Sequence, residues 1–273
     1  MKITTLVENT AASPEYGCEH GLSFYIETAN HKLLFDLGPD ELFLRNAEKL
    51  SVDIGAVDTV VISHGHDDHG GALKLFLERN HSAKVYIREN AFLPYYVKIM
   101  GFPSYAGLDS ALKGHAQLVL TGEECVIDGE LRVFSGVTER ECYASTNNAL
   151  YEKTENGYVH DAFAHEQNLI ITENGKTTLF GGCAHNGIIN IMSKAERILG
   201  KQPDIAISGM HLYNPVSIFG GSSRLTRRIG ERLRDMDTLF YTCHCTGKKA
   251  YGILKDIMGD KIGYLAAGSV IAL

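Results

Sequence analysis

The sequence predicts an α+β fold in four layers, αββα, and three observations predict it. Strand-like runs crowd both halves of the 273-residue chain, each half also carries helical segments, and no linker, low-complexity stretch or tandem repeat divides them. The chain is therefore read as a single domain spanning 1–273.

Residues 3–8, 22–28 and 32–36 are short β-prone runs separated by Gly, Pro and Asn, as hairpins require. Leu42, Leu44, Ala47 and Leu50 place a helix over 40–50. The continuous β-branched run 57–62 suits a strand buried on both faces. A helix follows over 72–79 and another buried strand over 84–87.

Residues 91–115 break the pattern. Phe92, Tyr95, Tyr96, Phe102 and Tyr105 are interleaved with Pro94, Gly101, Pro103 and Gly107, which suits a lid or substrate-facing insertion; a surface helix and loop is the alternative. Beyond it, strands are expected at 118–120, 130–134, 168–172, 177–180, 205–208, 238–243 and 262–266, and helices at 187–199, 223–234 and 248–258.

Composition narrows the function classes. With 33 acidic and 26 basic side chains the net charge is −7, which disfavours nucleic acid as a partner. A hydrophobic content of 44% excludes a disordered chain. The N-terminus reads as a first strand and not as a signal peptide, and no apolar run approaches the ~20 residues of a membrane helix. Six scattered cysteines suit free thiols in a reducing compartment, so a cytoplasmic protein with no membrane association is expected. Composition does not give the oligomeric state.

The chemistry concentrates in His64-Gly65-His66-Asp67-Asp68-His69, directly after the buried strand 57–62. Three imidazoles and a carboxylate in six residues are costly to desolvate together unless a cation offsets them. Gly65, Gly70 and Gly71 let the backbone turn tightly beside them.

His64, His66, Asp68 and His69 match the H-x-H-x-D-H signature, and here the sequence resembles the metallo-β-lactamase superfamily. The resemblance implies an αββα sandwich with two metal ions between its sheets. Glu19-His20-Gly21, Leu34-Phe35-Asp36, His165-Glu166-Gln167, Gly182-Cys183-Ala184-His185 and His244-Cys245-Thr246-Gly247 extend it, over 7–247, to the branch named for 7,8-dihydropterin-6-methyl-4-(β-D-ribofuranosyl)-aminobenzene-5′-phosphate synthase.

His185 and His244, each just past a strand, are the expected later ligands. The implied centre holds two divalent ions, zinc first and manganese or iron as alternatives, on His64, His66 and His185 and on Asp68, His69 and His244. The family's bridging aspartate is missing where Gly182-Cys183 stands. Cys183 is read as a small buried residue or a soft ligand, and Glu166 or His165 could complete the shell. Asp36 could orient a ligand histidine or simply form a turn before Gly38.

Glu19, His20, His211 and Lys248 are candidate substrate contacts, and the helix starts at Gly220–Arg224 and Thr246–Lys248 suit anions or ordinary capping. The resulting expectation is a hydrolase using a metal-activated hydroxide, with Asp68 orienting it or taking its proton, on a small ester, lactone or phosphoester. A pterin-pathway phosphoribosyl-type synthase or transferase, or a non-catalytic metal or ligand sensor, are the alternatives.

Overall fold

The computed structural model describes residues 1–213 and 222–273. The first part runs β1 (Lys2–Val7), β2 (Ser23–Glu27), β3 (Lys32–Phe35), α1 (Leu42–Lys49), β4 (Thr59–Val61), α2 (Asp67–Gly70), α3 (Leu73–Arg79) and β5 (Lys84–Arg88). There follow β6 (Tyr95–Ile99), β7 (Phe102–Tyr105), β8 (Leu118–Thr121), β9 (Glu124–Val126), β10 (Leu131–Phe134), β11 (Leu150–Thr154) and β12 (Gly157–His160). The last part comprises β13 (Asn168–Glu173), β14 (Lys176–Phe180), α4 (Ile188–Leu199), β15 (Ile205–Ser208), α5 (Ser223–Arg234), β16 (Leu239–Thr242), α6 (Lys248–Met258), β17 (Ile262–Tyr264) and β18 (Val270–Ala272).

Two seven-stranded sheets result, ordered β18-β1-β2-β3-β4-β5-β8 and β17-β16-β15-β14-β13-β10-β9. Each is antiparallel at one end and parallel at the other. Strand periodicity explains the layers. Phe24, Ile26, Leu33, Phe35 and Val61 point into a core shared with Leu169, Ile171, Phe180 and Ile207 of the other sheet. Their neighbours Tyr25, Leu34, Val60 and Ile62 face the opposite way, onto Phe43, Leu73, Phe76 and Leu77 of α1 and α3. On the far side Ile170, Leu179, Ala206 and Phe240 pack on α4, α5 and α6. Helix, sheet, sheet and helix are thus the four expected layers, and Phe35 meets Phe180 between the sheets with ring centroids 5.8 Å apart.

The segment 91–115 is not a surface helix. Its β6–β7 hairpin pairs with β11 and β12 in a separate antiparallel sheet ordered β12-β11-β6-β7. An isolated bridge from His66 to Gly107 ties this sheet to the histidine motif. The final strand β18 was not expected. It pairs with β1 at Lys2–Ala272, which joins the two ends of the described chain. No helix among the described residues is long and apolar enough to cross a membrane.

Candidate metal centre

β4 ends at Val61 and α2 begins at Asp67, so the motif lies on a strand-to-helix turn. A side chain at Gly65 would collide with the Ala91 carbonyl, and one at Gly182 with Ser63, so both positions need glycine for close approach. Asp36, Ala184, His211 and His244 have positive φ, from 44° to 60°. Non-glycine residues rarely adopt this conformation, and four of them gather at the strand ends around one cleft.

Four of the predicted histidines share one arrangement. His64 Nδ1 faces Ser63 Oγ at 2.8 Å, His69 Nδ1 faces Asp36 Oδ2 at 2.7 Å, His185 Nδ1 faces Asn147 Oδ1 at 2.9 Å and His244 Nδ1 faces Asn9 Oδ1 at 2.8 Å. Each Nδ1–H donates outward, which fixes the ring and turns Nε2 inward. Nε2 of His64 and of His185 lie 3.3 Å apart, and those of His69 and His244 3.2 Å apart. Asp68 Oδ2 stands 3.1 Å from His244 Nε2 and 3.5 Å from His69 Nε2, and Cys183 Sγ stands 3.2 Å from His69 Nε2.

These spacings suit a cation better than they suit hydrogen bonding. Nitrogen and sulfur donors about 2.0 to 2.3 Å from a tetrahedral zinc stand about 3.3 to 3.6 Å from each other. Asp68, His69, Cys183 and His244 form one group whose donor atoms lie within 4.8 Å of one another, and His64, Cys183 and His185 form another. His66 also belongs with His64 and Asp68, and its buried Nε2 has no hydrogen-bond partner. The residues present therefore fit a metal centre.

The local electrostatics agree. Burial, then the surrounding imidazoles, hold His64 well below its ordinary pKa; His185 is held down by burial and then by His211 and His64. Burial also opposes charge on His69, but the carboxylates of Asp68 and Asp36 outweigh it and push that ring up to about 9. Burial raises Asp68, while His69, His244 and His20 outweigh it and hold the carboxyl well below the usual range. The carboxylates thus favour positive charge beside His69, whereas His64 and His185 are kept neutral, with Nε2 lone pairs free to bind a cation.

The remaining candidates separate by position. Asp36 accepts from Ser63 N–H at 2.6 Å and Ser63 Oγ at 2.7 Å, as well as from His69, so it orients ligands and does not form the core of the centre. Glu166 is fully engaged by the N–H groups of His185 and Asn186 at 2.6 and 3.0 Å and by Asn186 Nδ2 at 2.8 Å. Gly65 N–H donates to His165 Nδ1 at 2.9 Å, and His165 Nε2–H donates to Asp161 Oδ2 at 2.9 Å, which occupies both ring nitrogens. Cys183 is buried, as a small core residue would be, and its Sγ also stands in three groups of donor atoms.

His20 reaches the cleft, its Nε2 lying 3.3 Å from Asp68 Oδ2. His211 lines it too, its ring 4.2 Å from that of His185 and both its nitrogens buried without partners. Glu19 does not line it. It faces Asp40, where burial and then the Asp40 charge push it up to about 7. Lys248 Nζ sits 3.7 Å over the Tyr264 ring and lines an adjoining cavity of about 460 Å³ with Asn9, Tyr213 and His244. Gly220 and Gly221 lie outside the described residues, and Ser222 caps α5 by accepting from Leu225 N–H at 3.3 Å.

Several residues escaped the sequence reading. Asn9 and Asn147 brace ligand rings, Glu8 accepts His244 N–H at 2.6 Å, and Asp161 holds His165. Asparagine and glutamate in these contexts carry no pattern that marks them. Cys245 was visible only as part of a family word, yet it joins Cys183 and His211 in a third donor group.

Comparison with known proteins agrees with this geometry. The family model described as the metallo-beta-lactamase superfamily matches residues 16–149. An uncharacterized protein of Methanocaldococcus jannaschii is 29% identical over 99% of this chain and 100% of its own length. The same organism's 7,8-dihydropterin-6-methyl-4-(beta-D-ribofuranosyl)-aminobenzene-5'-phosphate synthase is 28% identical, covering 99% of this chain and 96% of the synthase. Among solved structures, Tm1679, described as a metal-dependent hydrolase of the beta-lactamase superfamily, matches with a TM-score of 0.80 at 25% identity, over 100% of this chain and 99% of its own. In its αββα layers and its clustered histidine and aspartate donors, the chain is similar to proteins of the metallo-β-lactamase superfamily.

Proposed function

We propose that this chain is a metal-dependent hydrolase of a small anionic ester, lactone or phosphoester. The observation that carries the reading is the convergence of four Nε2 atoms and Asp68 Oδ2 on one cleft, with every Nδ1 of those four rings tied outward. His64, His66 and His185 would hold one divalent ion and Asp68, His69 and His244 a second, with zinc the best match to the nitrogen-rich set. A bound divalent ion supplies Lewis acidity and acidifies water near neutral pH.

The chain's own residues supply the rest. Asp68 Oδ2 takes the proton of the attacking water, and His20, whose Nδ1 accepts from Asn9 Nδ2, donates its Nε2–H to that carboxylate at 3.3 Å and orients it. Val97 of β6, Ala106 and Leu150 of β11 line the cleft opposite the histidines and exclude water from the bond being cleaved. Lys248 and Lys249 line the adjoining cavity at the start of α6, where a positive side chain and free backbone N–H groups favour an anionic substituent.

The test is metal analysis joined to turnover. The purified protein should carry divalent metal and hydrolyse a member of an ester, lactone and phosphoester panel, with chelation abolishing turnover and zinc restoring it. His66→Ala and His69→Ala should lose metal with an unchanged circular dichroism spectrum. Full activity after complete metal removal would overturn the reading. The 28% identity to the M. jannaschii synthase over nearly both full lengths favours a second reading, condensation of a dihydropterin with a phosphoribosyl-type acceptor. A joined product from such a pair, with no turnover across the hydrolase panel, would select it.

A further inference from the structure

We propose that the Cys183 thiolate bridges the two metal ions in place of a carboxylate. The inference rests on the metal centre argued above and concerns which atom joins its halves. Cys183 Sγ is shared by the Asp68–His69–His244 group and the His64–His185 group, and within each group the donor atoms lie within 4.8 Å of one another. Its 3.2 Å separation from His69 Nε2 is close to the spacing of two donors on a common ion.

Local backbone delivers the sulfur to that point. β14 ends at Phe180, Gly182 passes against Ser63, and the left-handed turn at Ala184 is closed by Gly187 N–H to the Ala184 carbonyl at 2.9 Å. Cys183 and His185 then both face the centre.

Charge makes the same demand. Two dications in a buried cleft need anionic ligands, and among the described residues Asp68 is the only carboxylate in the three groups that contain Cys183. Glu166 and Asp36 are committed to N–H donors. A thiolate supplies the second negative charge, and a coordinating thiol is deprotonated by the ion itself. A soft bridge also sets metal preference, favouring zinc over manganese.

Cobalt titration of the metal-free full-length protein tests this without reference to turnover. Thiolate-to-cobalt charge-transfer absorption in the near ultraviolet should grow through the first and the second equivalent, because one sulfur serves both ions. It should vanish in Cys183→Ser and Cys183→Asp, while Cys183→Asp still takes two cobalt ions per chain. The preference of Cys183→Asp for zinc over manganese should fall by about tenfold or more. Absorption that saturates at one equivalent, never appears, or persists in Cys183→Ser overturns the bridge. The parent titration decides the matter even if a variant fails to fold. Failure of the hydrolase reading would leave this absorption unchanged, so the two can be told apart.

Discussion

At the scale of single residues, the centre is made by what stands behind the ligands. Each bracing atom sits on the outward nitrogen of a ring whose inward nitrogen has no other protein group to satisfy it except another donor. Asp36 is the most burdened of these, holding Ser63 twice and His69 once while fully buried at φ 60°. Asn tolerates that backbone conformation and keeps the side chain's shape, so Asp36→Asn isolates the charge. Its metal affinity, measured by chelator competition, should fall about 10- to 100-fold with the ligand set intact. The candidate donors were legible because the H-x-H-x-D-H spacing is compact and chemically unusual. The braces were not, since His244 and Asn9 are 235 residues apart and an isolated asparagine announces nothing.

At the scale of elements, both sheets were visible as apolar runs because strands buried on two faces lose their polar alternation. The small sheet was only half visible. Its aromatic hairpin stood out, but β11 and β12 are polar enough to pass for loop, with exposed Lys153, Tyr158, Val159 and His160. The hairpin extends as far as Met100 and Phe102, 92% and 77% exposed, whereas Val97 and Leu150 on the same sheet line the cleft. Val97→Asp should therefore raise KM about tenfold or more for any substrate with an apolar portion, leaving metal content unchanged, as steady-state kinetics and elemental analysis together would show. A substitution at Phe102 should leave both untouched, which sets the wall of the cleft apart from the outer end of the hairpin.

At the scale of the whole molecule, the two sheets are also tied at the strand ends remote from the donors. His31 pairs with Asp58, just before β4, at 2.9 Å and with Asp128, between β9 and β10, at 2.8 Å. Burial lowers the affinity of this ring for its proton, but the hydrogen bonds and charges of Asp58 and Asp128 outweigh it and raise the pKa. The sign follows from the linkage of proton binding to folding. The contribution is complete below the unfolded-state value of about 6.5 and is lost as pH rises through the higher folded value. His31→Gln should thus lower the melting temperature relative to the parent at pH 6, and the gap should narrow at pH 9. Partial exposure of the pair keeps the effect modest. The layer order was legible, because strand-rich and helix-bearing halves leave few packings. This clamp was not, because histidine between two distant aspartates has no local signature.

The meeting of β1 with β18, and of Glu8 and Asn9 with His244, has a consequence for how the protein is made. His64, His66, Asp68 and His69 lie within six residues of one another, but His244, the partner that would complete their group, lies 175 residues beyond His69 and is held by Glu8 and Asn9, which precede the motif. The motif on its own is an open claw. Tight capture of a metal would then wait on contacts between residues 235 apart in the chain, which are slow to form.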